Sequence, residues 1–285
     1  MKKVERQEQR LWDALKIAQK MSLAEAMELL HVSESTARRL FIRLESVGKA
    51  LRSYGGIQLV SDTVLDYSYE QVEGRCVEQK KAIAAAAAAM VEEGDILYLD
   101  SGTTLAHVSM ELAGRLERGE LKSVTVFTNS LMNLNVLHHT VKVSLVGGEY
   151  REHRKDFCGY IAEETVKSLH FTKSFLGADG YNAQNGFTAT DFYTARLNEE
   201  ILRSADQSYI VMDASKFFTS SVVSYTRSKP ADGVLTDAMP DEETAGRLAE
   251  QGVRIILAGA PAADRRGAAP APGEAGGEKG PDMVR

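Results

Sequence analysis

The run Asp-Ser-Gly-Thr-Thr at residues 100–104 is the segment of this chain best suited to binding an anion. It follows a strand-like run at 96–99 and opens a stretch with helical spacing at 103–116. The free amides and the positive dipole end of such a helix start favour an anion, and Gly102 lets a ligand approach the backbone closely. We therefore predict a phosphate site here. The alternative is a capped helix with no ligand, because the same residue types also suit turns and caps.

Polar loops also follow the other strand-like runs of this region. Thr-Asn-Ser follows 124–127, Gly-Gly-Glu-Tyr-Arg follows 142–146, Gly-Ala-Asp-Gly follows 173–176 and Asp-Ala-Ser-Lys-Phe follows 209–212. Because open α/β sheets bind ligands at the carboxyl ends of their strands, five such loops favour one convergent site over unrelated turns. The predicted ligand-binding residues are Asp100, Ser101, Gly102, Thr103, Thr104, Thr128, Asn129, Ser130, Gly147, Gly148, Arg151, Gly177, Asp179 and Lys216.

The histidines and cysteines do not form a pattern typical of a metal site. His138 and His139 are adjacent on a predicted helix, so their side chains point in different directions and make a poor chelate. Cys76 and Cys158 are too few for a disulfide framework, and we expect both to be free thiols in the core of a protein in a reducing cytoplasm. We predict neither a metal nor a cofactor.

The first 60 residues have the pattern of a winged helix-turn-helix. Ser22 and Glu25 form a Ser-x-x-Glu capping box at the start of a helix over 23–30, and Ser33 reads as the N-cap of a third helix that carries arginines. Residues 49–60 predict two short strands around a turn, which is a wing. The predicted DNA contacts are Ser33, Glu34, Ser35, Thr36, Arg38, Arg39 and Arg43 on the helix and Arg52 and Tyr54 on the wing. The alternative is a small protein–protein module with solvated arginines.

The charge distribution favours DNA over that alternative. The whole chain has a formal net charge of −6, yet residues 1–60 hold 11 Lys and Arg against 7 Asp and Glu. A basic small end on an acidic remainder indicates that one end meets phosphates.

The elements predict an α/β protein with two domains. Strands alternate with helices after residue 95, which is typical of a largely parallel sheet covered on both faces. We expect a winged helix-turn-helix over 1–60, a linker over 61–74, an α/β domain over 75–258 and a disordered Ala-, Pro- and Gly-rich tail over 259–285. There is neither a signal-peptide pattern nor an apolar run of membrane-spanning length, so we expect no membrane contact.

The motifs together resemble the DeoR family of sugar-metabolism repressors. The segment VSESTARRLFIRLESVGKALRSYGGI resembles the family's winged helix-turn-helix, and D-S-G-T-T, T-N-S, G-G-E-Y-R, F-L-G-A-D-G, G-F-T and D-A-S-K-F follow in the family's order. The resemblance implies an effector domain similar to ribose-5-phosphate isomerase in fold, which binds a phosphorylated sugar that relieves DNA binding. It also implies that residues 100–104 hold the phosphate or sugar hydroxyls, that Asp179 bonds a hydroxyl or carbonyl, and that Lys216 and Arg151 supply positive charge.

Two departures from the family pattern bear on specificity. Leu40 stands where the family usually has Asp, which affects the detailed operator contacts. The segment 193–200 lacks the basic residue that usually faces the ligand, so we hypothesise an altered effector or weaker phosphate binding, unless the nearby Arg196 substitutes for it.

The resulting prediction is a homodimeric or homotetrameric repressor of carbohydrate-metabolism genes, because helix-turn-helix proteins usually bind paired half-sites of double-stranded DNA. One alternative is a sugar-phosphate isomerase with an added domain, in which Asp179 is the base and Lys216 the cation. Another is a DNA-binding architectural protein whose large domain only oligomerises.

Overall fold

The chain divides into two compact units, residues 1–68 and 69–285. The computed structural model describes residues 3–18, 20–46, 50–53, 56–59, 67–219 and 221–259. The predicted wing residue Tyr54 and the predicted tail beyond 259 lie outside these residues.

The first unit is a winged helix-turn-helix. Its elements are α1 Lys3–Ala18, β1 Lys20–Ser22, α2 Leu23–Leu30, α3 Glu34–Ser46, β2 Ala50–Ser53 and β3 Gly56–Leu59. Ser22 and Glu25 form the predicted capping box, with each side chain bonded to the other residue's backbone amide. Among the described residues β1, β3 and β2 form one antiparallel sheet, in which β1 was not predicted. β1 pairs with β3, a strand that lies far from it in the sequence.

A small apolar core holds this unit together. Leu11 and Leu15 of α1 pack with Leu30 of α2 and with Leu40 and Leu44 of α3. Leu40 is buried. The position where the family usually has Asp therefore faces the core of this unit rather than solvent.

The elements of the second unit alternate as predicted. In chain order they are α4 Tyr69–Glu73, α5 Val77–Ala89, β4 Ile96–Leu99, α6 Thr103–Glu117, β5 Thr125–Thr128, α7 Leu131–Leu137, β6 Lys142–Leu145, β7 Glu149–Arg151, β8 Asp156–Cys158, α8 Tyr160–Lys167, β9 Phe171–Gly177, β10 Gly180–Asn182, β11 Gly186–Ala189, α9 Phe192–Ser204, β12 Ala205–Val211, a 3-10 helix Ala214–Phe218, β13 Val223–Ser224, β14 Gly233–Thr236, α10 Glu242–Glu250 and β15 Arg254–Leu257.

A parallel sheet forms the centre of the second unit. Within the described residues its seven strands lie in the order β15-β14-β12-β9-β4-β5-β6, and each neighbouring pair is parallel. One face packs on α5, α6 and α7 through side chains such as Ile83, Leu112 and Leu137. The other packs on α8, α9 and α10 through side chains such as Val166 and Ile201. The predicted α/β architecture, with both faces of the sheet covered, is confirmed.

Small antiparallel sheets accompany the main one and were not predicted. β7 pairs with β8 in a hairpin, and β11 pairs with both β10 and β13. Their strands have two to four residues, too few for the alternation of apolar and polar residues to be recognisable.

Three expectations need correction. The predicted linker over 61–74 includes the helix Tyr69–Glu73, because Tyr69 is buried and its amide donates to the His153 carbonyl at 2.8 Å. The alanine-rich run over 80–93 predicts a helix to residue 93, but α5 ends at Ala89, where Arg115 donates to the carbonyls of Ala88 and Val91. Cys158 is buried, but Cys76 is exposed and precedes α5 in a left-handed backbone conformation.

No helix in the described part of the chain is long and apolar enough to cross a membrane.

Candidate functional site

The predicted polar loops meet at the carboxyl edge of the parallel sheet. The Gly177 amide donates to Asp100 Oδ2 at 3.1 Å, which joins the loops after β9 and β4. Asn133 of α7 donates through Nδ2 to the Asp100 carbonyl at 2.8 Å and to Thr128 Oγ1 at 3.1 Å, which adds the loop after β5. The strand order therefore brings together residues that are far apart in sequence.

Asp100 is the buried centre of this edge, with only 2% of its surface exposed. Burial raises the pKa of its carboxyl group to about 6, against hydrogen bonds from the amides of Gly177 and Ser101 and from the side chain of Asn198, which lower it. A residue this buried shapes the loops around it. Asp100 therefore holds together the loops after β4 and β9 and the helix α9.

The helix start after Asp100 has the geometry expected of an anion site. Gly102 has φ of 109° as the N-cap of α6, a conformation that L side chains rarely adopt. A 15-residue helix follows it, and the first amides of a helix have no intrahelical acceptor. Thr103 is buried and Thr104 is half-buried, so Thr104 is the more accessible of the two to a ligand.

The Thr-Asn-Ser loop is held in place by hydrogen bonds of its own side chains. Thr128 Oγ1 donates to the Leu99 carbonyl at 2.6 Å, and Ser130 caps α7 by accepting from the Asn133 amide at 3.2 Å. Asn129 donates through Nδ2 to the Phe157 carbonyl at 3.1 Å. These three predicted ligand residues are buried, and they hold the loop against the β7–β8 hairpin.

One residue of the Gly-Gly-Glu-Tyr-Arg segment, Gly148, must be a glycine for steric reasons. A Cβ on Gly148 would lie 2.3 Å from the Cys158 carbonyl oxygen, so only glycine fits without displacing backbone. Gly147, in contrast, has open space at that position and is half-buried. Gly148 therefore allows the chain to enter the hairpin beside the sheet edge.

Two arginines carry positive charge into the site, and only Arg151 was predicted. Arg151 binds both carboxylate oxygens of Asp156 at 2.8 and 2.7 Å, Asp191 at 2.8 Å and Thr194 at 3.0 Å. Arg154, missed in the sequence, donates to Thr190 Oγ1 at 2.7 Å.

Aspartates surround these two arginines. Arg154 lies 3.6 Å from Asp179 and 3.4 Å from Asp191. The positive charge beside Asp191 holds the pKa of its carboxyl group below its usual value, although burial opposes this. Asp179 also accepts the Thr190 amide at 2.8 Å, so it remains at the site as a half-buried carboxylate.

Lys80 and Lys216 are close enough for the charge of one to affect the other. Lys216 is half-buried in the 3-10 helix, and Lys80 of α5 is only 3% exposed, with Nζ donating to the Val72 carbonyl at 2.6 Å. Burial lowers the pKa of Lys80, Asp213 opposes that shift and Lys216 adds to it. The sequence did not point to Lys80, because a lysine at the start of an alanine-rich helix is usually exposed to solvent.

The Arg196 hypothesis is wrong. Arg196 has a side chain that is 65% exposed and pairs with Glu163 at 3.2 Å. Thr194 and Asn198 occupy the opposite face of α9, where they bond to Arg151 and to Asp100. The distance from Asn198 Nδ2 to Asp100 Oδ2 is 3.1 Å. The side chain of α9 that lies beside the buried Asp100 is therefore an amide and not a basic group.

The helix α3 presents one polar face to solvent. Ser33, Glu34, Ser35, Arg38, Arg39 and Arg43 are exposed and Thr36 is half-buried. Arg38 Nε donates to Glu34 Oε1 at 2.8 Å, so these two side chains restrain one another. Ile42 is 46% exposed on the same helix, an apolar side chain that was not predicted and that suits contact with a thymine methyl group. The strand β2 includes Arg52, whose side chain lies outside the described residues.

No group of three His, Cys, Asp or Glu side chains in the described ranges could hold a metal ion. The rings of His138 and His139 lie 3.5 Å apart, and His138 Nδ1 is 3.1 Å from the carbonyls of Leu134 and Asn135.

Two domain families match the chain. The DeoR C terminal sensor domain matches residues 75–238, and the DeoR-like helix-turn-helix domain matches residues 6–63. These ranges fall on the two units of the structure.

Individual proteins are also similar. The lactose phosphotransferase system repressor of Streptococcus mutans is 30% identical over 248 residues, which cover 84% of this chain and 95% of that protein. The uncharacterized HTH-type transcriptional regulator FruR of Bacillus subtilis is 31% identical over 219 residues, covering 76% and 85%. A solved structure of ribose 5-phosphate isomerase A from Methanocaldococcus jannaschii matches 49% of this chain and 54% of its own, with a TM-score of 0.38 and 17% identity.

Proposed function

Since the chain belongs to the DeoR family of transcriptional regulators, we propose that it is a repressor of carbohydrate-metabolism genes that a phosphorylated sugar releases from operator DNA. The α3 helix and the wing would bind DNA, and the carboxyl edge of the parallel sheet would bind the sugar phosphate. We call residues 1–68 the DNA-binding unit and residues 69–285 the sensor unit. The name of the Streptococcus mutans relative, a lactose phosphotransferase system repressor, supports a carbohydrate-related target.

The observation that carries the effector site is the convergence of loops on the start of α6. Gly102 opens a long helix whose first amides suit phosphoryl oxygens, and Lys216 follows β12, whose carboxyl end lies at the same edge of the sheet. Lys216 is half-buried, and we assign it to the phosphoryl group together with those amides. Asp179 would accept a sugar hydroxyl.

The buried polar groups would set the shape of this site. Asp100 joins its own loop to the loop after β9 and to the helices α7 and α9, and Asp156 bridges Ser101 and Arg151. The charges of Arg151 and Arg154 are balanced by the neighbouring aspartates, so we do not assign them the main role in phosphate binding.

The DNA-binding face of α3 would read the major groove. Arg39 is exposed, and an exposed arginine can bond a guanine edge with two hydrogen bonds. Ser33 and Ser35, at the start of the helix, would contact backbone phosphates. Because DNA-binding regulators of this kind usually bind paired half-sites, we expect a homodimer or homotetramer acting in the cytoplasm.

The isomerase alternative has less support. A general base needs a carboxylate free to take a proton from the substrate carbon. Asp179 Oδ2 accepts the Thr190 amide at 2.8 Å and lies 3.6 Å from Arg154, which leaves Oδ1 for either a proton or a sugar hydroxyl. The family and the similar proteins are transcriptional regulators.

Two measurements test the proposed function. The full chain is first used to select duplexes from a random DNA library, and enrichment of one paired motif is the expected result. Calorimetry then measures binding of D-glucose 6-phosphate, D-fructose 1-phosphate, D-galactose 6-phosphate and glycerol 3-phosphate. At least one should bind, and Lys216→Ala should weaken it about tenfold or more.

The matched control is Lys122→Ala, which removes one exposed lysine at the start of β5, at the opposite edge of the sheet. It should leave sugar-phosphate binding unchanged. Enrichment of no motif, or binding of none of the four compounds, would contradict the corresponding half of the proposal.

A further inference from the structure

The hairpin of residues 149–158 connects the candidate anion loop to the point where the chain enters the sensor unit. β7 and β8 form its arms, and residues 152–155 form its turn. We call this segment the relay hairpin. Asp156, the residue directly after the turn, is bonded to Ser101, and the turn itself is bonded to Tyr69, the first residue of the sensor unit.

The first residue of β8 is bonded to the loop before α6 through one serine hydroxyl group. Ser101 Oγ donates to Asp156 Oδ2 at 2.8 Å, and Asp156 is fully buried. A serine hydroxyl has one proton to donate, so it can bond either Asp156 or a phosphoryl oxygen at the start of α6. An anion bound there therefore competes with Asp156 for the proton.

The arms of the hairpin are held firmly to their surroundings. Arg151 binds Asp156 through two parallel hydrogen bonds, which ties the two arms to one another. The Phe157 amide donates to the Asn129 carbonyl at 2.9 Å, and the Leu131 amide donates to the Lys155 carbonyl at 2.9 Å. A change at Asp156 is thus passed along a short, bonded segment rather than absorbed by a loose loop.

The turn of the hairpin is bonded to α4. The His153 carbonyl accepts the Tyr69 amide at 2.8 Å, and Lys155 Nζ lies 3.0 Å from Glu70. Lys155 has φ of 57°, a conformation that its own amide supports by donating to the Arg151 carbonyl at 2.8 Å. The backbone at Lys155 is therefore set by the same residue, Arg151, that binds Asp156.

We propose that the relay hairpin carries effector occupancy from Ser101 to Tyr69 and Glu70, and through them to the DNA-binding unit. The bound anion accepts the hydrogen bond from the Ser101 hydroxyl group, so Asp156 loses that donor. The hairpin and its turn then shift. The contacts of the turn with Tyr69 and Glu70 then weaken. The inference rests on the proposed function, because it assumes an anion at the start of α6.

A charge exchange at the turn tests the relay. The measured quantity is the ratio of operator dissociation constants with and without D-glucose 6-phosphate, D-fructose 1-phosphate, D-galactose 6-phosphate or glycerol 3-phosphate. For any compound that releases wild-type protein, Glu70→Lys and Lys155→Glu should each change that ratio by about threefold, within the range of exposed ion pairs. The double exchange should restore it.

The control is Lys167→Glu, which disrupts an exposed ion pair with Glu164 on α8, away from the hairpin. It should leave the ratio unchanged. If a compound binds and releases DNA equally well from wild-type protein and from both single exchange variants, the relay is wrong and the proposed function still stands.

A second measurement needs no ligand. Ser101→Ala removes the bond to Asp156, while Ser101→Thr keeps a hydroxyl group. Hydrogen exchange of the Tyr69 amide should be about threefold or more faster in Ser101→Ala than in wild-type protein, and close to wild type in Ser101→Thr. Unchanged exchange at Tyr69 in Ser101→Ala would overturn the relay, whether or not any of the four sugar phosphates binds.

Discussion

At the scale of single residues, buried polar groups shape the sensor site more than exposed ones do. Asp100, Asn133 and Asn198 are almost fully buried, and each bonds to a loop or helix other than its own. Such residues orient the groups that a ligand can reach.

The motif Asp-Ser-Gly-Thr-Thr predicted the helix start beside these buried groups, because its residue types suit a helix start. The sequence could not reveal Lys80, Arg154, Asn133 or Asn198. Their roles come from contacts across the sheet edge, and each residue type is ordinary for its helix or loop. Arg196 was misjudged because the face of α9 that meets the site was not known.

The buried carboxyl group of Asp100 predicts a pH-dependent stability. Its pKa in the folded protein is raised to about 6, above the usual value of 3.8, because burial disfavours the charged form. The group therefore stabilises the fold most below its unfolded pKa, and this contribution is lost as the pH rises through about 6.

The comparison variant is Asp100→Asn, which cannot ionise. The free energy of unfolding of wild-type protein, relative to that of Asp100→Asn, should fall by about 2–3 kcal/mol between pH 4.5 and pH 8. Urea unfolding at several pH values measures it. A constant difference, or one that grows with pH, would mean that Asp100 is not protonated more readily in the folded state.

At the scale of elements, the DNA-binding helix depends on the helix before it. The helix α2 begins at the capping box, and residues Ala26 and Leu30 bury its inner face. The sequence predicted this element with its bounds, because capping residues and apolar spacing are local signals. It did not predict β1, whose pairing with β3 is not local.

Loss of the cap should destabilise the DNA-binding unit. Ser22→Ala removes the side-chain acceptor for the Glu25 amide, which lies 3.2 Å away, and should cost about 1 kcal/mol. Thermal unfolding followed through Trp12, which packs against the core of this unit, measures the effect. Ser22→Asp retains an acceptor and serves as the control. Equal unfolding of Ser22→Ala and wild-type protein would show that the cap adds no stability.

At the scale of the whole molecule, the two units differ in charge and in chemistry. Residues 1–60 have an excess of Lys and Arg, while the whole chain has a formal net charge of −6. The alternation of strands and helices predicted the fold class of the sensor unit. The order of its strands was not predictable, since parallel pairing joins segments that the sequence keeps far apart.

This charge division predicts a strong salt dependence of DNA binding. The logarithm of the operator affinity should fall linearly with the logarithm of salt concentration, and Arg43→Ala should reduce the slope by about 1 if Arg43 contacts a phosphate. Fluorescence anisotropy at four salt concentrations measures it. Arg247→Ala, on α10 of the sensor unit, should leave the slope unchanged. A slope near zero for wild-type protein would be inconsistent with phosphate contacts.

The measurement that tests the central claim most directly is the operator dissociation constant with and without each of the four sugar phosphates. Because coupling between two sites is reciprocal, a compound that weakens DNA binding must itself bind more weakly to the DNA complex, by the same factor. We predict that at least one compound raises the operator dissociation constant about tenfold or more in wild-type protein, and that Lys216→Ala needs a higher concentration for the same release. If sugar phosphates bind the sensor unit yet leave the operator dissociation constant unchanged, the protein is not an effector-released repressor of the kind proposed.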